Sequence, residues 1–340
     1  MRAILTAGAR WAPWALRELD ARLPPFARRD PLAPGVWLVA CGGSTASLAR
    51  TLADTVFIRH LSPAPVDRPV GPAEDPATWT RAALPAVLAE LPGWPPGGAV
   101  QAQARVLEGG PPWTAGALAA AVRSVLAEAG ARVTGGPAPY VLSIVAARVA
   151  VFVGLAPRPV HLSPWPGGAA RLAALPGEVS RSARKLEEAL LLGGEGWGPP
   201  CPGAAALDLG AAPGGWTQVL LRKGWRVTAV DPGAPSPALV GARGLSWIRG
   251  SASQIPLPPG PFDLLTADLN WDPLRTAACA LRFRPRLRAG ARGILTVKFF
   301  GGDPLDTVAA VRGRLEAGFR VLAVRHLFHD RAEATAFLAR

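Results

Sequence analysis

The chain has 340 residues, 49% of them apolar, which is enough for two or three buried cores and too much for wholesale disorder. A net charge of +13 favours a polyanionic partner, nucleic acid foremost, and no apolar run reaches the ~18 residues of a membrane-spanning helix. Cys41, Cys201 and Cys279 form no C-x-x-C pair, and His60, His161, His326 and His329 form no ligand cluster, so neither a disulfide frame nor a metal site is expected.

In chain order, the N-terminus has no apolar stretch of signal-peptide length and acquires acids early, which fits a cytoplasmic protein. "APWALRELDARL" is a predicted helix, "GVWLVACG" a strand, "STASLARTLAD" a helix and "TVFIRHL" a strand, together a small α+β unit. The Pro-rich stretch 62–76 reads as a linker or long loop. A second unit follows: helix "WTRAALPAVLAEL", strand "AVQAQARVL", helix "TAGALAAAVRSVLAEAG", then strands "YVLSIVAAR" and "VAVFVGLA". Another Pro/Gly-rich join covers 157–170.

From about residue 200 strands and helices alternate. "AAALDLG", "RVTAVDPG", "DLLTADL", "GILTVKFF", "RVLAVRHL" and "EATAFLAR" are strand candidates, with helices in "WTQVLLRKG" and "DTVAAVRGRLEAG". Near-continuous apolar strands between helices imply a doubly wound α/β sheet.

The sharpest motif is "LDLGAAPGGWT", 207–217. A strand carries Asp208, Gly210 opens a turn, and Gly214 and Gly215 precede a helix; such glycines let backbone turn tightly and approach a ligand. It is not G-x-G-x-x-G, and no Walker lysine is present, which argues against a P-loop. Asp231 ends the next strand, where an acid can hydrogen-bond ribose hydroxyls. NAD is compatible with that acid, whereas S-adenosylmethionine is favoured by the "DLGAAPGG" form. Asp208, Gly210, Ala212, Pro213, Gly214, Gly215, Trp216 and Asp231 are therefore candidate cofactor-binding residues.

Lysine occurs only at 185, 223 and 298, while arginine supplies every other positive side chain. Lys298 sits inside an apolar strand. A lysine in a strand is usually an end or edge residue that snorkels to water, and a composition that favours arginine does not explain why this one remains.

"LDLGAAPGGWT" resembles the donor-binding motif of RNA 2′-O-ribose methyltransferases of the FtsJ/RrmJ type. "SRSARKLEEAL" (180–190) and "HDRAEATAFL" (329–338) are similar to segments of the bacterial 23S rRNA cytidine 2′-O-methyltransferases of the RlmM type. The resemblance is specific over roughly 160–340 and looser over 1–160. It implies a Rossmann-like S-adenosylmethionine-dependent domain over 164–340. It also implies a ferredoxin-like α+β unit over 1–68 and a THUMP-like RNA-binding domain over 69–163.

The family's Lys–Asp–Lys–Glu set falls on Lys185, Asp268, Lys298 and Glu333, and its donor-contacting serine on Ser182. Where the family tends to carry an adenine-contacting acid, this chain has Gly250 and Ser251; Ser251 can still hydrogen-bond the base. The resemblance implies methyl transfer to a ribose of large-subunit rRNA or of its assembly intermediate, at a cytidine. Lys298 would be the base, its pKa lowered by burial and by Lys185 as neighbouring cation, with Asp268 and Glu333 orienting both lysines. Two other readings stand beside it: an RNA-binding ribosome-assembly factor with a vestigial methyltransferase fold, and a nicotinamide-dependent oxidoreductase, which the glycine spacing and the lysines oppose. The arginines of "LRFRPRLRAGAR" (281–292) are spaced to track phosphates or to form a solvated basic face, and Pro285 argues against a plain helix through them.

Overall fold

A computed structural model describes residues 1–71, 75–95, 97–174 and 176–340. The chain divides into two compact units, Met1–Ala169 and Ala170–Arg340.

The first unit opens with β1 (Arg2–Thr6), α1 (Ala12–Arg22), β2 (Arg28–Ala33), β3 (Val36–Ala40), α2 (Thr45–Leu52) and β4 (His60–Pro63). These strands form an antiparallel sheet in the order β2-β3-β1-β4, the split βαβ arrangement of ferredoxin-like units. Ser44 starts α2 with a reciprocal capping box to Ser47. "TVFIRHL", read as a strand, pairs only from His60 onward. The buried carboxylate of Glu18 takes the backbone N–H groups of Val56 and Phe57 at 2.6 and 2.8 Å, so those donors are withheld from a ladder.

The same unit continues with β5 (Val66–Pro69), α3 (Pro76–Glu90), β6 (Val100–Val106), α4 (Ala115–Glu128), β7 (Tyr140–Ala146) and β8 (Ala150–Pro157). Their sheet has the order β5-β8-β7-β6, with β6 and β7 parallel and the other pairs antiparallel. Asp75 and Thr114 cap α3 and α4, whose apolar faces meet the sheet through Trp79, Leu84, Leu118, Leu142 and Val153. The expected linker over 62–76 is corrected in part: it contains the end of β4 and all of β5. Both are sheet-edge strands, where a proline removes no needed ladder bond. Residues 72–74 of that stretch lie outside the described residues.

The second unit contains α5 (Ala183–Gly193), β9 (Ala205–Leu209), α6 (Gly215–Arg222), β10 (Arg226–Asp231), β11 (Leu245–Arg249) and β12 (Phe262–Ala267). It is completed by α7 (Pro273–Phe283), β13 (Leu287–Lys298), α8 (Pro304–Leu315), β14 (Arg320–Arg325) and β15 (Glu333–Ala339). Seven strands make one sheet, β11-β10-β9-β12-β13-β15-β14. The first five run parallel, and β15 is antiparallel to both neighbours. This is the expected Rossmann-like sheet. From β9 the chain winds outward to β11, then returns across to β12. Ligands of open α/β sheets bind at such a reversal, outside the carboxyl ends of the strands. Leu186, Trp216, Leu220, Leu264 and Ile294 belong to the core on one face of this sheet. Pro285 acts as expected: α7 stops at Phe283, a short 3-10 turn covers Arg284–Arg286, and β13 follows.

Candidate functional site

The turn after β9 and the ends of β10 and β12 enclose a cavity of about 350 Å³. Gly210, Ala212, Asp231, Ser251 and Asp268 line it, together with Trp271 and Asn270. Gly210 has φ 74°, and a Cβ there would meet the carbonyl oxygen of Asp268 at 2.9 Å, so only glycine fits the rim. Asp231 accepts a hydrogen bond from Gly233 N at 2.6 Å, which fixes its carboxylate at the cavity wall. Ser251 Oγ lies 2.9 Å from Ser253 Oγ. The guanidinium of Arg275 covers the Trp271 ring at 4.2 Å.

Other residues of the motif lie beneath the cavity rather than in it. Asp208 is buried, and its two oxygens accept from Thr217 Oγ1 at 2.7 Å and Thr266 Oγ1 at 2.8 Å. Burial pushes its pKa up to about 7, against the pull of those two hydroxyls. Gly214 and Gly215 start α6, and Trp216 is buried with Nε1 donating to Ser182 O at 2.9 Å. Pro213 O accepts from Ser236 N at 2.8 Å. A Cβ on Gly215 would meet Ser182 Oγ at 2.7 Å, so this glycine lets the start of α5 sit on the turn. Ser182 occupies the N-cap position of α5 without capping it. Its hydroxyl instead faces Ser180 Oγ at 3.1 Å and lines a second cavity.

Lys185, Asp268, Lys298 and Glu333 converge. Asp268 directly follows β12, Lys298 ends β13, and Glu333 opens the antiparallel β15 directly opposite Lys298. All three therefore emerge at one end of the sheet, and Lys185 meets them from the first turn of α5. Lys185 Nζ donates to Asp268 Oδ2 and Glu333 Oε1, both at 2.9 Å. Lys298 Nζ donates to Asp268 Oδ1 at 2.9 Å and to Glu333 Oε2. Each cation thus touches both acids in a closed ring of alternating charge. Thr296 Oγ1 adds a bond to Asp268 Oδ1 at 3.0 Å.

Burial opposes the charge of Lys185, but Asp268 and Glu333 outweigh it and raise its pKa above the ordinary lysine value. Burial likewise opposes ionisation of Asp268, and the two ammonium groups hold its carboxyl below the usual range. Two lysines facing each other alone would repel and favour a neutral amine. Here the carboxylates stand between them, and at Lys185 the shift runs upward.

The second cavity, about 700 Å³, lies beside the ring and is lined by Ser182, Lys185, Lys298, Phe300, His329 and Arg331 among others. Asn270 lines both cavities, so it and Asp268 stand where they meet. Sequence reasoning passed over Asn270, whose only signal is its place two residues after Asp268. It also passed over Glu188, one helical turn beyond Lys185. The arginines of 281–292 mostly serve the fold. Arg282 donates to Ala252 O and Ile255 O, Arg284 to Gly318 O, and Arg288 pairs with Asp263. Among the described residues no His/Cys/Asp/Glu group is placed to hold a metal ion, and no helix is long and apolar enough to cross a membrane.

Residues 178–326 match the FtsJ-like methyltransferase family. Over 188 residues the chain is 37% identical to a "Ribosomal RNA large subunit methyltransferase M" of Xylella fastidiosa strain M12, covering 53% of this chain and 52% of that one. Over 226 residues it is 34% identical to the protein of the same name from Methylococcus capsulatus, covering 64% and 63%. The protein of that name from Halorhodospira halophila is 37% identical over 190 residues, covering 56% and 54%. The resemblance drawn from the glycine turn and the lysine–acid set is borne out by these matches. The chain spans about half the length of the curated relatives it matches.

Proposed function

We propose that this chain, whose residues 178–326 form an FtsJ-like methyltransferase domain, transfers a methyl group from S-adenosylmethionine to a ribose 2′-hydroxyl of large-subunit rRNA. The observation that carries this reading is the closed Lys185–Asp268–Lys298–Glu333 ring between a glycine-turn cavity and a larger open one.

S-adenosylmethionine, when bound, supplies an already activated methyl group. Gly210, Ala212, Asp231, Ser251 and Trp271 would hold it: the rim admits no Cβ, and the Asp231 carboxylate suits ribose hydroxyls. The chain's own residues must then orient the substrate hydroxyl and take its proton. Lys298, once neutral, is the acceptor, and the ammonium it becomes is the species Asp268 and Glu333 are placed to stabilise. Lys185 keeps its proton, because the same acids raise its pKa, and it donates to the ribose oxygen to steer it.

We assign 164–340 to catalysis, 69–163 to a THUMP-like RNA-binding domain and 1–68 to a ferredoxin-like unit. A cytidine target and a cytoplasmic setting belong to the same proposal. The test measures methyl transfer to protein-free large-subunit rRNA, with S-adenosylhomocysteine binding measured in parallel. Lys298→Ala and Lys298→Arg both lose transfer by about 100-fold or more while still binding S-adenosylhomocysteine. An active Lys298→Arg variant rules out proton acceptance by this residue. A wild-type chain that binds S-adenosylhomocysteine yet transfers nothing is the result expected of a vestigial assembly factor.

A further inference from the structure

Among the described residues two carboxylates line the glycine-turn cavity, Asp231 and Asp268. Both oxygens of Asp268 take bonds from the lysines, so the reacting end of a bound donor belongs on that side. Asp231 is held by Gly233 N and suits the ribose hydroxyls. The purine then falls beyond Asp231, away from the ring. The wall there is Ser251 and Ala252, after β11, with Trp271 and Arg275 at the start of α7.

These two stretches are tied together. Arg282 of α7 donates to Ala252 O at 2.9 Å and to Ile255 O. Arg275 Nη2 lies 3.5 Å from Ser253 Oγ, which lies 2.9 Å from Ser251 Oγ. The Arg275 guanidinium rests over the Trp271 ring at 4.2 Å, and this stacking presets its planar fork. Among the described residues it pairs with no carboxylate. A guanidinium offers N–H groups and nothing that accepts. The purine end of the cavity therefore has no carboxylate for the amino group of adenine and carries a fixed donor instead. A purine meets a donor with its acceptors. Those include a ring nitrogen whether the exocyclic group is an amine or an oxygen.

We propose that Arg275, braced on Trp271, donates to an acceptor on the purine edge of S-adenosylmethionine, so that the site reads the purine without selecting its exocyclic amino group. The inference rests on the donor-dependent methyltransferase reading above and adds a residue that sets which donor the chain accepts. The Ser251 hydroxyl both donates and accepts, so it favours neither form of the base.

The experiment is calorimetric binding of S-adenosylhomocysteine and of its deaminated counterpart, S-inosylhomocysteine, to the full chain. Wild type binds the two within about threefold, since no carboxylate repels the exocyclic oxygen. Arg275→Ala weakens both by about tenfold. Its unliganded melting temperature is little changed, because the side chain is exposed. Analogues of S-adenosylhomocysteine that replace a single purine ring nitrogen by C–H then locate the contact. One of them loses about tenfold against wild type and little against Arg275→Ala. A wild-type preference of about tenfold or more for the amino compound overturns the proposal. So does wild-type affinity in Arg275→Ala, or the absence of any analogue whose loss disappears in that variant. A wild-type chain that binds neither compound instead contradicts the donor-dependent function on which the inference rests.

Discussion

Asp208 and Asp268, near the ends of neighbouring strands, are pushed in opposite directions by their surroundings. Asp208 accepts from two hydroxyls, but burial dominates, the carboxylates of Asp268 and Asp231 push the same way, and its pKa rises to about 7. A folded pKa above the unfolded value of 3.8 means that the folded state binds the extra proton between those limits. Asp208 therefore costs stability progressively as pH rises from about 4 to 7. Asp208→Asn should flatten the decline in Tm over that window and be at least as stable as wild type at pH 8, measured by thermal melts across pH. Asp268 is lowered, so its contribution is present above pH 3.8 and fades as pH falls through its folded pKa. Lys185 is raised, so its contribution is full below pH 10.5 and fades above. Lys185→Met leaves two buried acids sharing one cation and should cost about 3–5 kcal/mol in urea unfolding at pH 7. At this scale the sequence was most informative where a residue type was scarce. Two of its three lysines proved to be the paired ones, because arginine had filled all but one of the other cationic sites. Asn270 and Glu188 carried no such signal, since amides and acids on helices and loops usually face water.

The helix α5 and the turn before α6 are joined by a missing side chain. Gly215→Ala places a methyl 2.7 Å from Ser182 Oγ and 3.3 Å from Ala183 N. It should cost about 1–3 kcal/mol in chemical denaturation and move Ser182 out of its place at the cavity. Parallel strands such as β9 and β12 were legible because both faces are buried and their apolar runs are unbroken. Among the edge strands, β6 and β14 were legible and three others were not. β2 is mostly exposed and carries Pro31, β5 lies in a Pro-rich stretch, and β11 is half-exposed at the sheet margin. Each lacks the pattern because nothing covers its outer side. The start of α7 was also missed, although Asp272 and Pro273 form a plain cap and first turn, with Asp272 accepting from Leu274 N and Arg275 N.

At the scale of the molecule, Ala170–Arg340 contains its whole sheet, the core cluster around Leu186 and Leu220, both cavities and the full lysine–acid ring. A 170–340 fragment should therefore unfold cooperatively and bind S-adenosylhomocysteine with an affinity within about threefold of the full chain, by calorimetry. If 69–163 serves RNA binding as proposed, the fragment should bind large-subunit rRNA more weakly, with a shallower dependence on salt. The central claim is ribose methylation of large-subunit rRNA through Lys298. It is tested most directly by mapping 2′-O-methyl groups on that RNA from cells with the gene, without it, and with only the Lys298→Ala variant. The account predicts one ribose methyl group that is present with the gene and missing in both other strains. Unchanged 2′-O-methylation throughout the deletion strain would contradict it.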